Sequence, residues 1–224
     1  METWIVVPAF NEENKIKGVV SELNRNGYTK IVIVDDCSRD NTSSVSSNSG
    51  ATVLRHIINR GQGAALQTGI DYALEQGAEA IVTFDADGQH HPEDIIKLLQ
   101  PIEKGIADVA LGSRFLGTSS NTPLVRKVFL KGGAAIFRLM YGLKLTDSHN
   151  GLRALSRKAA KKIKITQDRM EHASEIVEEI SKHQLKYVEI PVTITYTDYS
   201  TQHGQKTSNA FKILLKMMIN KIIK

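Results

Sequence analysis

The first half of the chain is punctuated by short, nearly unbroken aliphatic runs: Trp4-Ile5-Val6-Val7, Ile31 to Val34, Ala80 to Phe84 and Asp108 to Leu111. Thr52-Val53-Leu54 is a shorter run of the same kind. Continuous rather than alternating apolar runs predict strands buried on both faces. The first is expected to close at Pro8. Between the runs the period changes: Ile16, Val19, Val20 and Leu23 recur at helical spacing, and a second helix is expected from Ala64 to Glu75. Pro92 suits a first helical turn and opens a helix through Leu98 and Leu99. Strands alternating with amphipathic helices predict an α/β fold with a mostly parallel central sheet covered by helices on both faces.

The pattern loosens beyond Ser113. Leu124 to Tyr141 reads as mainly helical, Asp147 to Gly151 as a loop, Arg157 to Lys162 as a short basic helix and Glu171 to Lys182 as another. Lys186 to Tyr196 reads as a strand with Pro191 at an edge or bulge. The serine-rich run Thr42 to Ser49 is compatible with a polar helix or a loop.

Three of the predicted strands end in polar or acidic residues: Asn11-Glu12, Asp35-Asp36 and Asp85-Ala86-Asp87. Singly, each is read as a turn former or helix cap. Together they mark a ligand site, because open parallel sheets bind ligands at the carboxyl ends of their strands. Asp85 and Asp87, with Gln89 nearby, form a hard oxygen set suited to Mg²⁺ or Mn²⁺ shared with substrate phosphates. An acid/base pair is the weaker alternative, since residues i and i+2 rarely flank a scissile bond from opposite sides.

Charge adds a second surface. The net charge of +5 divides into −7 for residues 1–112 and +12 for residues 113–224. A basic half without aromatic runs, zinc-ligand spacing or a helix-turn-helix pattern points to anionic lipid or phosphate rather than nucleic acid. Cys37 is the only cysteine, which excludes an internal disulfide and suits a reducing compartment. The chain opens straight into a strand, so no signal peptide is expected, and no apolar window is long enough to span a bilayer. The glycine loop Asn59-Arg60-Gly61-Gln62-Gly63 is neither G-x-G-x-x-G nor a P-loop, which argues against a dinucleotide-binding dehydrogenase and a P-loop enzyme. It reads as an anion site before a helix N-terminus or as a tight turn.

In order, Pro8-Ala9-Phe10-Asn11-Glu12, Val34-Asp35-Asp36 with Ser38 and Asp40, Asn59-Arg60-Gly61, Asp85-Ala86-Asp87-Gly88-Gln89-His90 and Gly112-Ser113-Arg114 resemble the family 2 glycosyltransferases of GT-A fold. The branch is that of dolichol-phosphate mannose synthase. Asp147 to Arg153, Met170 to Glu175 and Tyr196 to Lys206 resemble a bacterial and archaeal subgroup that modifies polyprenyl phosphates. The resemblance implies a nucleotide-sugar site of Pro8, Ala9, Phe10, Glu12, Asp36, Gly61, Gln62, Asp85 and Ala86. It implies a metal, Mn²⁺ or Mg²⁺, on Asp85, Asp87 and Gln89, and acceptor phosphate on Arg114, Arg126 and Lys206. Asp87, Arg114, Asp147 and Glu175 are the expected catalytic set, with Asp147 alternatively a loop cap and Glu175 alternatively a support. Gln62 stands where many relatives carry lysine, and the Tyr199–Lys206 loop lacks the arginine of mannose synthases, so the donor stays open between UDP- and GDP-sugars.

The expected organisation is one transferase domain over residues 1–206, with a donor half (1–112) and an acceptor half (113–206). Residues 207–224 would form a basic amphipathic helix, carrying Phe211, Leu214, Leu215, Met218, Ile219 and Ile222 on one stripe. That helix suits a membrane interface or packing on the domain or a partner. The expectation is a cytoplasmic enzyme peripheral on the inner membrane face, with a separate transmembrane subunit as partner. A transferase acting on a sugar hydroxyl, a nucleotidyltransferase and a non-catalytic binding module are the competing readings.

Overall fold

A computed structural model describes residues 1–116, 142–147 and 149–195. The predicted segments 124–141, 199–206 and 207–224, with Arg126 and Lys206, lie outside the described residues. Seven strands form one sheet: β1 (Thr3–Ala9), β2 (Ile31–Asp35), β3 (Thr52–Arg55), β4 (Ala80–Thr83), β5 (Val109–Ser113), β6 (Arg153–Ser156) and β7 (Tyr187–Pro191). Their order is β3-β2-β1-β4-β6-β5-β7. Neighbours are parallel except at β6, which runs antiparallel to both β4 and β5.

The helices are α1 (Ile16–Arg25), α2 (Thr42–Asn48), α3 (Gln62–Glu75), α4 (Ile95–Glu103), α5 (Arg157–Lys162) and α6 (His172–Lys182), with a 3₁₀ turn at Pro92–Asp94 before α4. The period-two alternation of each strand assigns its apolar side chains to two cores. Ile5 and Val7 of β1 meet Val19, Val20 and Leu23 of α1 and Leu98 of α4 on one face. Val6 meets Leu66 and Ile70 of α3, with Ile176 and Ile180 of α6, on the other. The helices thus cover both faces, as the aliphatic runs predict.

The strands differ from expectation in three places. Pro8 does not close β1 but lies within it, opposite Val34. Even-numbered residues of β1 direct their backbone toward β4, as the Phe84 N–H to Val6 carbonyl bond shows. The β4 ladder ends at Val6 opposite Thr83, so the missing N–H of Pro8 costs no ladder bond. The second is β6, which lies between the predicted loop to Gly151 and helix from Arg157 and was not assigned an element from sequence. Four residues beginning with arginine carry no strand signature, and their strand character comes from filling the gap between β4 and β5. The predicted strand to Tyr196 stops at Pro191, and Ile194 makes only an isolated bridge with His90.

Candidate functional site

Because β2, β1 and β4 are adjacent and parallel, their carboxyl ends share one edge, and the three polar strand ends converge there. Backbone and side chains stitch the first two together. Asp36 N–H donates to the Ala9 carbonyl at 2.8 Å, Asn11 N–H to Ser38 Oγ at 2.9 Å, and Arg39 N–H to Asn11 Oδ1 at 2.8 Å. Asp35 is fully buried and accepts from Ser38 N–H at 2.8 Å and from the Ser43 hydroxyl. It is a structural anchor.

Asp36 organises the glycine loop. Its carboxylate accepts from Arg60 N–H at 2.9 Å and Gly61 N–H at 2.6 Å, and it meets His56 Nδ1 at 2.7 Å. Ala64 N–H donates to the Asp168 carbonyl at 3.1 Å. The amides of Arg60, Gly61 and Ala64 are thus occupied within the protein. The glycines also serve close approach. A Cβ on Gly61 would press on the Asp168 carbonyl and one on Gly63 would overlap the Gln167 carbonyl. Segment 166–169 therefore lies directly on the loop, tied also by an Arg60–Asp168 ion pair at 2.9 Å.

Gln62, at the start of α3, donates its amide to Asp85 Oδ1 at 3.1 Å. The other Asp85 oxygen meets His90 Nε2 at 3.0 Å. A Cβ on Gly151 would overlap this carboxylate, so glycine there makes room for it. Burial raises the Asp85 pKa, but the His90 hydrogen bond and the charges of His90, Arg153 and His172 outweigh it and hold the group below its ordinary value. Asp87 shifts the other way: burial first, then the Asp85 charge, raise it against the hydrogen bonds from Gln89. Gln89 gives Asp87 both its backbone N–H at 3.0 Å and its side-chain amide at 2.6 Å. Two mutually repelling carboxylates are a donor set that a divalent cation would relieve. Among the described residues no group of three His, Cys, Asp or Glu is gathered for a metal. A cation on Asp85 and Asp87 would draw its remaining ligands from Gln89, as expected from sequence, a phosphate-bearing substrate and water.

Arg153, at the start of β6, is 3% exposed. Burial lowers its pKa to about 10, against the attraction of Asp85 and Asp147, so it remains a cation near neutrality. Its Nη1 has no hydrogen-bond partner. His149 and His172 are both pushed down to about 4, mainly by burial and further by Arg153, and are neutral at pH 7. Arg114, at the end of β5, donates through Nε to Asp147 Oδ2 at 2.6 Å and through its backbone N–H at 3.2 Å. Both side chains are almost wholly buried. Asp147 is thus engaged in orienting Arg114 rather than standing open as a base. Glu175 accepts from Thr166 N–H at 3.0 Å, Gln167 N–H at 2.9 Å and the Thr166 hydroxyl. Its carboxylate braces the segment lying on the glycine loop, whereas the expected support role was for the basic acceptor loop.

Of the remaining expected residues, Phe10 is 44% exposed at the end of β1, where a planar ring could stack on it. Glu12 is fixed through its backbone, N–H to Thr42 Oγ1 at 2.8 Å, and Ala86 is buried between the two aspartates. The sequence reading missed His90, Gly151 and Arg153 as site residues, although all three stand in quoted motifs. The only available signal was their neighbourhood.

Comparison with known proteins gives a consistent picture. The Glycosyl transferase family 2 model matches residues 4–164. A Methanocaldococcus jannaschii protein of uncharacterised function is 45% identical over 99% of this chain and 93% of its own length. The UDP-N-acetylglucosamine–dolichyl-phosphate N-acetylglucosaminyltransferase of Methanococcus voltae is 36% identical over 98% of this chain and 96% of its own. The polyprenol monophosphomannose synthase of Mycolicibacterium smegmatis is 31% identical over 73% of this chain and 65% of its own. Among solved structures, Mycobacterium tuberculosis glucosyl-3-phosphoglycerate synthase, in complex with Mn²⁺ and UDP-glucose, superposes with a TM-score of 0.73 at 16% identity. The match covers 97% of this chain and 76% of that one, a likeness of fold.

Proposed function

The chain belongs to glycosyl transferase family 2 and is a glycosyltransferase, and from that premise we propose that it transfers a sugar from a nucleoside diphosphate sugar to the phosphate of a polyprenyl lipid. The observation that carries the reading is the buried Arg114–Asp147 pair at the carboxyl end of β5, on the same edge of the sheet as Asp85 and Asp87 after β4. One pole suits a metal-bound diphosphate, and the other a phosphate oxyanion held by a guanidinium fork.

Two carboxylates of the expected catalytic set, Asp147 and Glu175, are committed to hydrogen bonds within the protein. That arrangement suits an acceptor that needs no proton removed. A phosphate monoester is ionised near pH 7 and attacks the anomeric carbon as it stands. Positioning and charge stabilisation then carry the rate. Phe10 and Glu12 border the base and ribose, and Asp36 shapes that pocket through the glycine loop. Asp85 and Asp87 hold the cation, Mg²⁺ or Mn²⁺, with Gln62 and His90 fixing Asp85 and Gln89 fixing Asp87. When bound, the cation neutralises charge on the departing nucleoside diphosphate. Arg153 keeps a permanent positive charge behind both poles. Arg126 and Lys206 join Arg114 as acceptor ligands in this proposal.

The relatives named for dolichyl and polyprenol phosphates support the acceptor class, and no helix among the described residues is long and apolar enough to cross a membrane. A protein peripheral on the cytoplasmic membrane face, reaching its lipid at the interface, follows as part of the proposal. Purified protein with Mn²⁺, undecaprenyl phosphate and a panel of UDP- and GDP-sugars, led by UDP-N-acetylglucosamine, tests it. Glycosylated lipid from one donor, lost in Asp87→Ala, is expected. Transfer to a free sugar hydroxyl in place of the lipid would overturn it.

A further inference from the structure

Thr83, Arg153, Leu111 and Glu189 stand directly opposite one another across β4, β6, β5 and β7, so their side chains share one face of the sheet. Three of the four are polar, and two grip opposite ends of the loop that joins the poles of the site. Thr83 Oγ1 donates to the Gly151 carbonyl at 2.6 Å, beside Asp85. At the other end, Glu189 accepts from Thr146 N–H at 2.9 Å, Thr146 Oγ1 at 3.0 Å and Asp147 N–H at 3.0 Å. Tyr187, two residues earlier on the same face of β7, accepts from Lys144 N–H at 2.9 Å.

The bonds run outward from Glu189 in a short series. Its carboxylate fixes the backbone of Thr146 and Asp147. The Asp147 side chain, wholly buried, then holds Arg114 Nε at 2.6 Å. Thr146 Oγ1 also meets Ser113 Oγ at 2.7 Å, which ties the same loop to the residue before Arg114. A flexible guanidinium otherwise loses rotamer entropy each time it binds an anion, so fixing it beforehand favours binding. We propose that Glu189 is a positioning residue for the acceptor: through Asp147 it presets the Arg114 guanidinium for a phosphate monoester. The inference rests on the reading of Arg114 as an acceptor-phosphate ligand.

Calorimetry with citronellyl phosphate, a short soluble polyprenyl phosphate, in the presence of Mn²⁺ and UDP tests it on the full chain. Arg114→Gln is expected to weaken binding of this probe at least tenfold. Glu189→Ala is expected to weaken it by a similar factor while the affinity for UDP with Mn²⁺ stays within about twofold. Glu189→Gln, which keeps an acceptor oxygen for both backbone amides, is expected to restore most of the affinity. The double variant Arg114→Gln/Glu189→Ala should bind no more weakly than Arg114→Gln alone, because both losses pass through one guanidinium. If Glu189→Ala does not fold, Glu189→Asp, one methylene too short to grip both residues, takes its place with the same expectations. Wild-type affinity in the Glu189 variant, or fully additive losses in the double variant, overturns the inference and leaves the acceptor reading standing. Unchanged binding in Arg114→Gln overturns the reading of Arg114 and this inference with it.

Discussion

Asp85 keeps its place because Gly151 has no side chain, and that pairing joins residues from β4 and from the loop before β6. Adding a methyl at Gly151 would force the carboxylate or the loop to move, since a Cβ would overlap Asp85 Oδ2. Overpacking of this kind costs about 1–3 kcal/mol. Here the cost would fall on a carboxylate proposed to hold the cation. Gly151→Ala is therefore expected to weaken Mn²⁺-dependent UDP binding about tenfold or more, read by calorimetry, with a smaller loss of stability. Full retention of that affinity would show that Asp85 does not need the space. The aspartates themselves were legible in the sequence because each ends an aliphatic run. Gln62 and Gln89 were named as site residues too, but the grip of Gln62 and Gly151 on Asp85 was not legible, because both reach it only after distant segments fold together. Glu189 gave no signal at all beyond its place on a strand.

At the scale of elements, α6 shows how a helix placed for packing constrains a titration. His172, its first residue, is 4% exposed, and burial with the Arg153 charge lowers it from 6.5 to about 4. Between those values the unfolded chain binds the proton and the folded chain does not. The stabilisation is complete above about pH 6.5 and is lost as the pH falls toward 4, at up to about 1.4 kcal/mol per pH unit. His149 adds a shift of the same sense, while the raised Asp87 opposes both at the low end. Urea midpoints should fall from pH 7 to pH 5, and the fall should be shallower in His172→Gln. Equal slopes in the two proteins would contradict the assignment. Helices α1, α3, α4 and α6 were readable because one stripe of each is apolar, and β1, β2 and β4 because both faces are buried. Strand β6 was not readable, since Arg153 to Ser156 gain strand geometry only from the β4 and β5 edges they join.

For the whole molecule, β6 has a functional consequence as well as a topological one. The donor and acceptor halves of the expected single domain interleave in one sheet: a strand from the second lies between two strands of the first. Arg153 enters the site on that strand, where its charge acts on Asp85 and on Asp147 together. The uneven charge of the sequence pointed to two partners, and the two proposed sites lie at the carboxyl ends of β4 and β5, on either side of β6. Transfer to the phosphate itself is the central claim. The most direct test supplies the active donor with either undecaprenyl phosphate or undecaprenol, each with Mn²⁺ and with excess EDTA. The account predicts glycosylated lipid from the phosphate alone, and only with metal present. Product from undecaprenol, or undiminished product in EDTA, would contradict it.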